Sequence, residues 1–133
     1  RPLLLADGAH NPDGARVLAQ SLTALDMPRP AVGVLAIMRD KDYRTMLARL
    51  LPLFGAVICT EASEPRSLTA MGLAAAARDV TVADGPAERI EAIVDPHAAL
   101  TRARTLAGSA GSVVVAGSLY LLEDLRDVLA GAG

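Results

Sequence analysis

Five short apolar runs alternate along the chain with segments of helical periodicity, and this alternation limits the fold more than any other feature. The runs are Leu3–Ala6, residues 31–36, 56–60 and 80–83, and Ser112–Ala116. They are mostly apolar throughout rather than at every second position, the pattern of strands buried on both faces of a parallel sheet. Between them, Ala15, Leu18, Leu22 and Leu25 keep helical spacing after Asn11-Pro12. Asn11 can cap that helix, and Pro12 suits a first helical position that needs no backbone N–H. Tyr43, Met46, Leu47, Leu50 and Leu51 form a second helical stripe. A third helix is expected over residues 68–78 and a fourth from Asp95-Pro96 to Gly108. A last one carries Leu121, Leu122, Leu125, Val128 and Leu129, with a frayed Gly131-Ala132-Gly133 end. Residues 83–93 read either as strand plus loop or as a short helix. The whole predicts an α/β layer fold with right-handed crossovers and a mostly parallel sheet. Ligands of such sheets gather at the carboxyl ends of the strands, so the loops there are where function is sought.

The 133 residues suit one domain with one core, and 52% hydrophobic with 21% charged residues reads as globular. A net charge of -2 with no basic block argues against nucleic acid or an anionic membrane as partner. No apolar stretch approaches the roughly 18 residues of a membrane helix, and no signal peptide is visible. The one cysteine, Cys59, lies in an apolar run and is read as core. A single thiol forms neither an internal disulfide nor a Cys-rich zinc site, and a cytoplasmic setting is expected. Arg1-Pro2 runs straight into a strand-like segment, as if cut from something longer.

Three strand-end loops could carry chemistry. In the first, Asp7-Gly8-Ala9-His10-Asn11-Pro12, Asp7 could accept hydrogen bonds from a ribose hydroxyl, and His10 precedes a helix N-terminus that attracts anions. The structural alternative is that Asp7 and Asn11 only build the turn and cap the helix while Gly8 allows a backbone angle. In the second, Met38-Arg39-Asp40-Lys41-Asp42, Lys41 is the only lysine of the chain. It reads as a solvated charge beside a capping Asp40 or Asp42, or as a cation placed for a carboxylate, the local pattern favouring the surface role. In the third, Ala116-Gly117-Ser118-Leu119-Tyr120, Gly117 permits close backbone approach, and Ser118 can cap the last helix or offer its hydroxyl to a ligand, the pattern favouring the cap. There is no P-loop and no G-x-G-x-x-G fingerprint. His10 and His97 are far apart in sequence, so no metal cluster is expected, and His97 is read as exposed. No nucleophile–base pair is legible, so no catalytic residue is named and the chain alone does not read as a complete enzyme.

Taken together, "LLLADGAHNPDGARVLAQSL", "VGVLAIMRDKDYRTMLARLLPLFGAVICT" and "VVVAGSLYLLEDLR" resemble the C-terminal domain of the folylpolyglutamate synthase/dihydrofolate synthase family, within the Mur ligase superfamily. The ordered set D-G-A-H-N-P, D-K-D and G-S-L-Y is the specific signal, and residues 62–110 add little. The resemblance implies a Rossmann-like three-layer sandwich over residues 1–133. That unit acts as a lid on a larger N-terminal ATPase domain, absent here, which holds the P-loop, the Mg2+ ligands and most of the pterin pocket. It implies a reaction in which MgATP phosphorylates a folate-side carboxylate and the amine of L-glutamate attacks the acyl phosphate, giving an amide, ADP and phosphate. Dihydropteroate and folate both stay open as substrates, because their pocket lies mostly elsewhere. By matching position, Asp7 and His10 would bind ATP, and Lys41 and Ser118 would bind glutamate. Asp40, Asp42 and Asn11 match the motifs with structural roles. The alternatives are a stand-alone α/β module that binds a nucleotide or a protein without chemistry, and a sibling cell-wall ligase that D-G-A-H-N-P and G-S-L-Y disfavour.

Overall fold

Asn11 and Asp95 begin two helices by the same device. In the computed structural model, which describes residues 1–84 and 87–131, the Asn11 side chain accepts from the Gly14 N–H at 2.7 Å and that of Asp95 from the Ala98 N–H at 2.9 Å. Pro12 and Pro96 follow at the first helical positions, where no N–H is missed. The helices are α1 (Pro12–Leu25), α2 (Tyr43–Leu50), α3 (Ala70–Asp84), α4 (Pro96–Ala107), α5 (Leu119–Asp124) and α6 (Arg126–Ala130), with a 3-10 turn over Leu51–Leu53. The strands are β1 (Leu3–Ala6), β2 (Ala31–Leu35), β3 (Ala56–Cys59), β4 (Arg89–Ala92) and β5 (Ser112–Ala116).

All four strand pairings are parallel, in the order β1-β5-β2-β3-β4. The three inner strands are buried along their whole length, which is why their sequences are continuously apolar. Successive side chains serve opposite faces. Val114 and Ala116 join Leu35 and Val57 in a core closed by Leu18, Leu22, Met46, Leu47, Leu50 and Leu73 of α1, α2 and α3. Val113 and Val115 join Val32, Val34 and Ile58 in a second core closed by Leu100 and Leu121 of α4 and α5, with Leu125. The result is the expected three-layer α/β sandwich.

Three expectations are corrected. Residues 80–83 are not a strand but the last turns of α3. Val80 packs into the first core, and the Ala-rich turns before it carry the helix through a Val-Thr-Val stretch whose propensity penalty is only about half a kcal/mol per residue. The fourth strand lies later, at Arg89–Ala92. Its sequence alternates, with Ile90 packed against the core and Glu91 tied to Arg102 at 2.9 Å. Second, the helix expected over 68–78 starts at Ala70, because the Leu68 N–H is bound to the Ile37 carbonyl and Thr69 Oγ1 accepts from the Gly72 N–H. Third, the last helix is two short ones, broken at Leu125 so that Leu121 and Leu125 both stay buried. Leu25 is 63% exposed, off the buried stripe of α1. Residues 85 and 86, and the Ala132-Gly133 part of the expected frayed end, lie outside the described residues.

The C-terminal end of β5 reaches β2 through Gly117. This residue has φ +105°, and a Cβ there would lie 2.4 Å from the Ala36 carbonyl oxygen. Gly117→Ala is expected to destabilise the chain by about 2 kcal/mol or more. Gly55→Ala, at a position with nothing within 4 Å, should change stability by under about 0.5 kcal/mol. Urea unfolding of the two variants beside the wild type checks both values.

Candidate functional site

Because β5 lies between β1 and β2, the loops that follow these three strands leave the sheet side by side. The ladders run on into the loops: the Asp7 N–H donates to Val115 at 3.0 Å and the Ala36 N–H to Ala116 at 3.4 Å.

In the loop after β1, Asp7 Oδ1 accepts from the Ala9 N–H at 2.8 Å, an Asx turn that fixes the loop and leaves the carboxylate exposed. Gly8 has a different role from the one expected. Among the described residues only Gly108 and Gly117 are glycines at positive φ. Gly8 is small instead because a Cβ there would sit 2.6 Å from Leu119 Cδ2, so its absence lets the start of α5 close on the loop. His10 is exposed, with Nδ1 2.9 Å from the Gly8 carbonyl. A carbonyl only accepts, so Nδ1 carries the proton and Nε2 is the nitrogen left for a ligand.

In the loop after β2, Asp42 caps α2. It accepts from the Thr45 N–H at 3.3 Å and the Thr45 hydroxyl at 2.7 Å, and these bonds hold its pKa below the usual carboxylate range. Asp40 lies 3.4 Å from Arg66. Lys41, half-buried between the two acids in sequence, is within 4.0 Å of no carboxylate among the described residues. After β5, Ser118 is 1% exposed, and its Oγ accepts from the Tyr120 N–H at 3.1 Å, so the cap role is real.

His10, Lys41 and Ser118 nonetheless line one cavity of about 220 Å³, over Met38 and Leu119. That is below the roughly 300–1,000 Å³ of a drug-sized pocket and suits a small ligand or one end of a larger one. A cavity of about 310 Å³ lined by Leu22, Met27, Ala31 and Leu53 lies at the opposite edge of the sheet, away from these loops. Asp7 does not line the 220 Å³ cavity. Two of its polar residues escaped the sequence reading as site residues, Arg66 and Tyr120. Arg66 comes from the loop after β3, a strand end like the other three, and that position was the available signal. The loop is stapled to the end of β2 by the Arg39 N–H on the Arg66 carbonyl at 2.8 Å, and by an antiparallel bridge between Met38 and Ser67.

The other singled-out residues lie apart from the cavity. Cys59 is buried as expected, and burial pushes its thiol up to about 12, so it stays protonated. The described residues include no group of three or more His, Cys, Asp or Glu side chains that could hold a metal ion. His97 is exposed, and its Nε2 lies 2.9 Å from Asp127, tying the start of α4 to α6. The hydrogen bond to Asp127 raises the His97 pKa above 6.5, and the same bond lowers that of Asp127 below 3.8. The His97 contribution to stability is therefore full below the ordinary imidazole pKa and lost as pH rises through the raised one. The Asp127 contribution is full above the ordinary carboxyl pKa and lost as pH falls through the lowered one. An NMR titration should give His97 a higher pKa in the wild type than in Asp127→Asn; equal values would remove the pair.

Known proteins resemble this chain in sequence and fold. The family model described as "Mur ligase, glutamate ligase domain" matches residues 1–119. The folylpolyglutamate synthase of Lacticaseibacillus casei is 32% identical over 136 residues, covering 98% of this chain and 28% of that protein. The dihydrofolate synthase/folylpolyglutamate synthase of Mycobacterium tuberculosis is 45% identical over 76 residues, covering 57% of this chain and 16% of that protein. A solved structure of the Mycobacterium tuberculosis folylpolyglutamate synthase, complexed with ADP and AMPPCP, superposes with a TM-score of 0.82. It is 32% identical and covers 94% of this chain and 29% of that one. The chain thus spans less than a third of the length of these relatives.

Proposed function

The chain belongs to the Mur ligase family, as its glutamate ligase domain, and from that premise we propose that residues 1–133 are the C-terminal lid of an ATP-dependent folylpolyglutamate synthase/dihydrofolate synthase. The observation that carries this reading is the cavity at the ends of β2 and β5, lined by Lys41, which has no carboxylate partner among the described residues, and by Ser118. An unpaired, half-buried ammonium is a ready partner for a ligand carboxylate, and such charge-assisted bonds are among the stronger ones. The relatives named above, synthases of folylpolyglutamate and dihydrofolate, favour an amino acid as that ligand over a stand-alone module without chemistry.

In the proposed reaction the terminal phosphoryl group of ATP passes to a carboxylate oxygen of folate or dihydropteroate, and ADP leaves. The amine of L-glutamate then attacks the acyl carbon. A C–N bond forms, phosphate departs with the C–O electron pair, and the amine gives up a proton. This chain's part is to bind, orient and exclude water. Lys41 holds a glutamate carboxylate with Ser118 beside it, which turns the amine toward the acyl group. Asp7, exposed at the end of β1, accepts from the nucleotide ribose, and His10 offers its free Nε2 to the nucleotide when the lid closes. Closure shields the acyl phosphate from hydrolysis. In this reading the Mg2+ that accompanies ATP belongs to the N-terminal domain, since the described residues gather no group of three or more His, Cys, Asp or Glu that could hold it. A cytoplasmic setting goes with this reading.

Two outcomes check it. In the full-length protein that carries this chain, Lys41→Ala should raise the KM for L-glutamate about 10- to 100-fold, the value of one charge-assisted hydrogen bond. The KM for ATP should barely move; initial rates at varied glutamate and ATP decide. The 133-residue chain alone should bind ATP with a Kd weaker than about 1 mM, since the phosphate cradle lies elsewhere. Calorimetry that finds submillimolar binding contradicts the division of labour.

A further inference from the structure

Glutamate carries two carboxylates, and Lys41 answers one of them. The remaining wall of the cavity holds a second cation. We propose that Arg66 receives the second carboxylate, so that the Lys41–Arg66 pair selects a dicarboxylic amino acid over its amide; this rests on the amino-acid reading of the same cavity.

Arg66 is held in place before any ligand arrives. Its Nε donates to Glu64 Oε1 at 3.1 Å, and its backbone N–H reaches the same oxygen at 3.4 Å. Nη1 donates to Asp40 at 3.4 Å and Nη2 to the Tyr120 hydroxyl at 3.2 Å. The guanidinium carbon lies 5.8 Å from the Tyr120 ring centroid, so the aromatic side chain also supports the cation. These contacts occupy three of the five guanidinium N–H groups, and one on each terminal nitrogen is left to donate. Spare guanidinium donors suit a carboxylate. Tyr120 accepts from Arg66, so its own hydroxyl proton stays free to donate as well.

The charge balance of the wall points the same way. Asp40 and Glu64 bond to Arg66, but neither lines the cavity, whose charged lining residues are Lys41 and Arg66. The acids therefore orient the guanidinium from outside without facing the ligand. A carboxamide in place of the second carboxylate would leave the Arg66 charge unanswered, and mismatch against a site built for a charged group discriminates strongly.

The test uses the full-length ligase, with L-glutamate and L-glutamine as alternative amino acids. Arg66→Gln should raise the KM for L-glutamate 10- to 100-fold with little loss of kcat, and should not lower kcat/KM for L-glutamine. Arg66→Lys, which keeps the charge, should recover most of the loss, and thermal unfolding and the KM for ATP should stay near wild type in both variants. Equal losses for glutamate and glutamine, or loss in Arg66→Lys as deep as in Arg66→Gln, would overturn the proposal and leave Arg66 a brace for the rim. An unchanged glutamate KM in Arg66→Gln would also overturn it. Lys41→Ala, run in parallel, separates the two readings. A raised KM there with no effect at Arg66 refutes only the second cation, whereas a wild type that ligates no glutamate refutes the amino-acid site itself.

Discussion

The close approach of Gly117 to the Ala36 carbonyl is the contact on which the site depends. It is possible only without a side chain, since a Cβ would come to 2.4 Å. Through it the end of β5 fits against the end of β2, and the last strand occupies the slot between the first two. The order β1-β5-β2 then does the rest. Loops more than 70 residues apart along the chain leave the same edge of the sheet, as Lys41 and Ser118 do. Ligand sites at the carboxyl edge of an open parallel sheet follow from this kind of topology.

The electrostatics of that edge divide into two groups. Most carboxylates there are consumed by structure: Asp42 caps α2, Asp7 closes an Asx turn, and Asp40 and Glu64 orient Arg66. The cations Lys41 and Arg66 keep donors to spare on the cavity wall. Such a site is pre-organised, because the groups that hold the cations in place are not the groups a ligand must displace. Surface ion pairs of this exposure add little stability, so the network around Arg66 is better understood as fixing direction than as holding the fold.

Much of this was legible in the sequence for physical reasons. The inner strands are buried on both faces and announce themselves as continuous apolar runs. The caps at Asn11 and Asp95 announce helix starts, with proline just inside. The failures also have causes. Residues 80–83 carry strand-like β-branched side chains, but the alanine-rich helix ahead of them and the packing of Val80 decide in favour of α3. The true fourth strand, Arg-Ile-Glu-Ala, is only partly buried and lacks the apolar run that marked the others. Leu125 breaks the last helix where the stripe is continuous, a tertiary effect that periodicity does not encode. In the site, Ser118 is both the helix cap that local pattern favoured and a wall of the cavity. Arg66 offered only its place in a strand-end loop as a signal; the fold, by stapling the loop after β3 onto the end of β2, brings it beside Lys41.

The central claim is that the β1, β2 and β5 loops build one pocket for an acidic amino acid. A structure of the full-length protein with a non-hydrolysable ATP analogue and L-glutamate tests it most directly. The account predicts a glutamate carboxylate within about 2.7–3.2 Å of Lys41 Nζ, with the Ser118 hydroxyl beside it. Glutamate bound elsewhere while Lys41 faces solvent would contradict the account and leave this edge of the sheet without its assigned ligand.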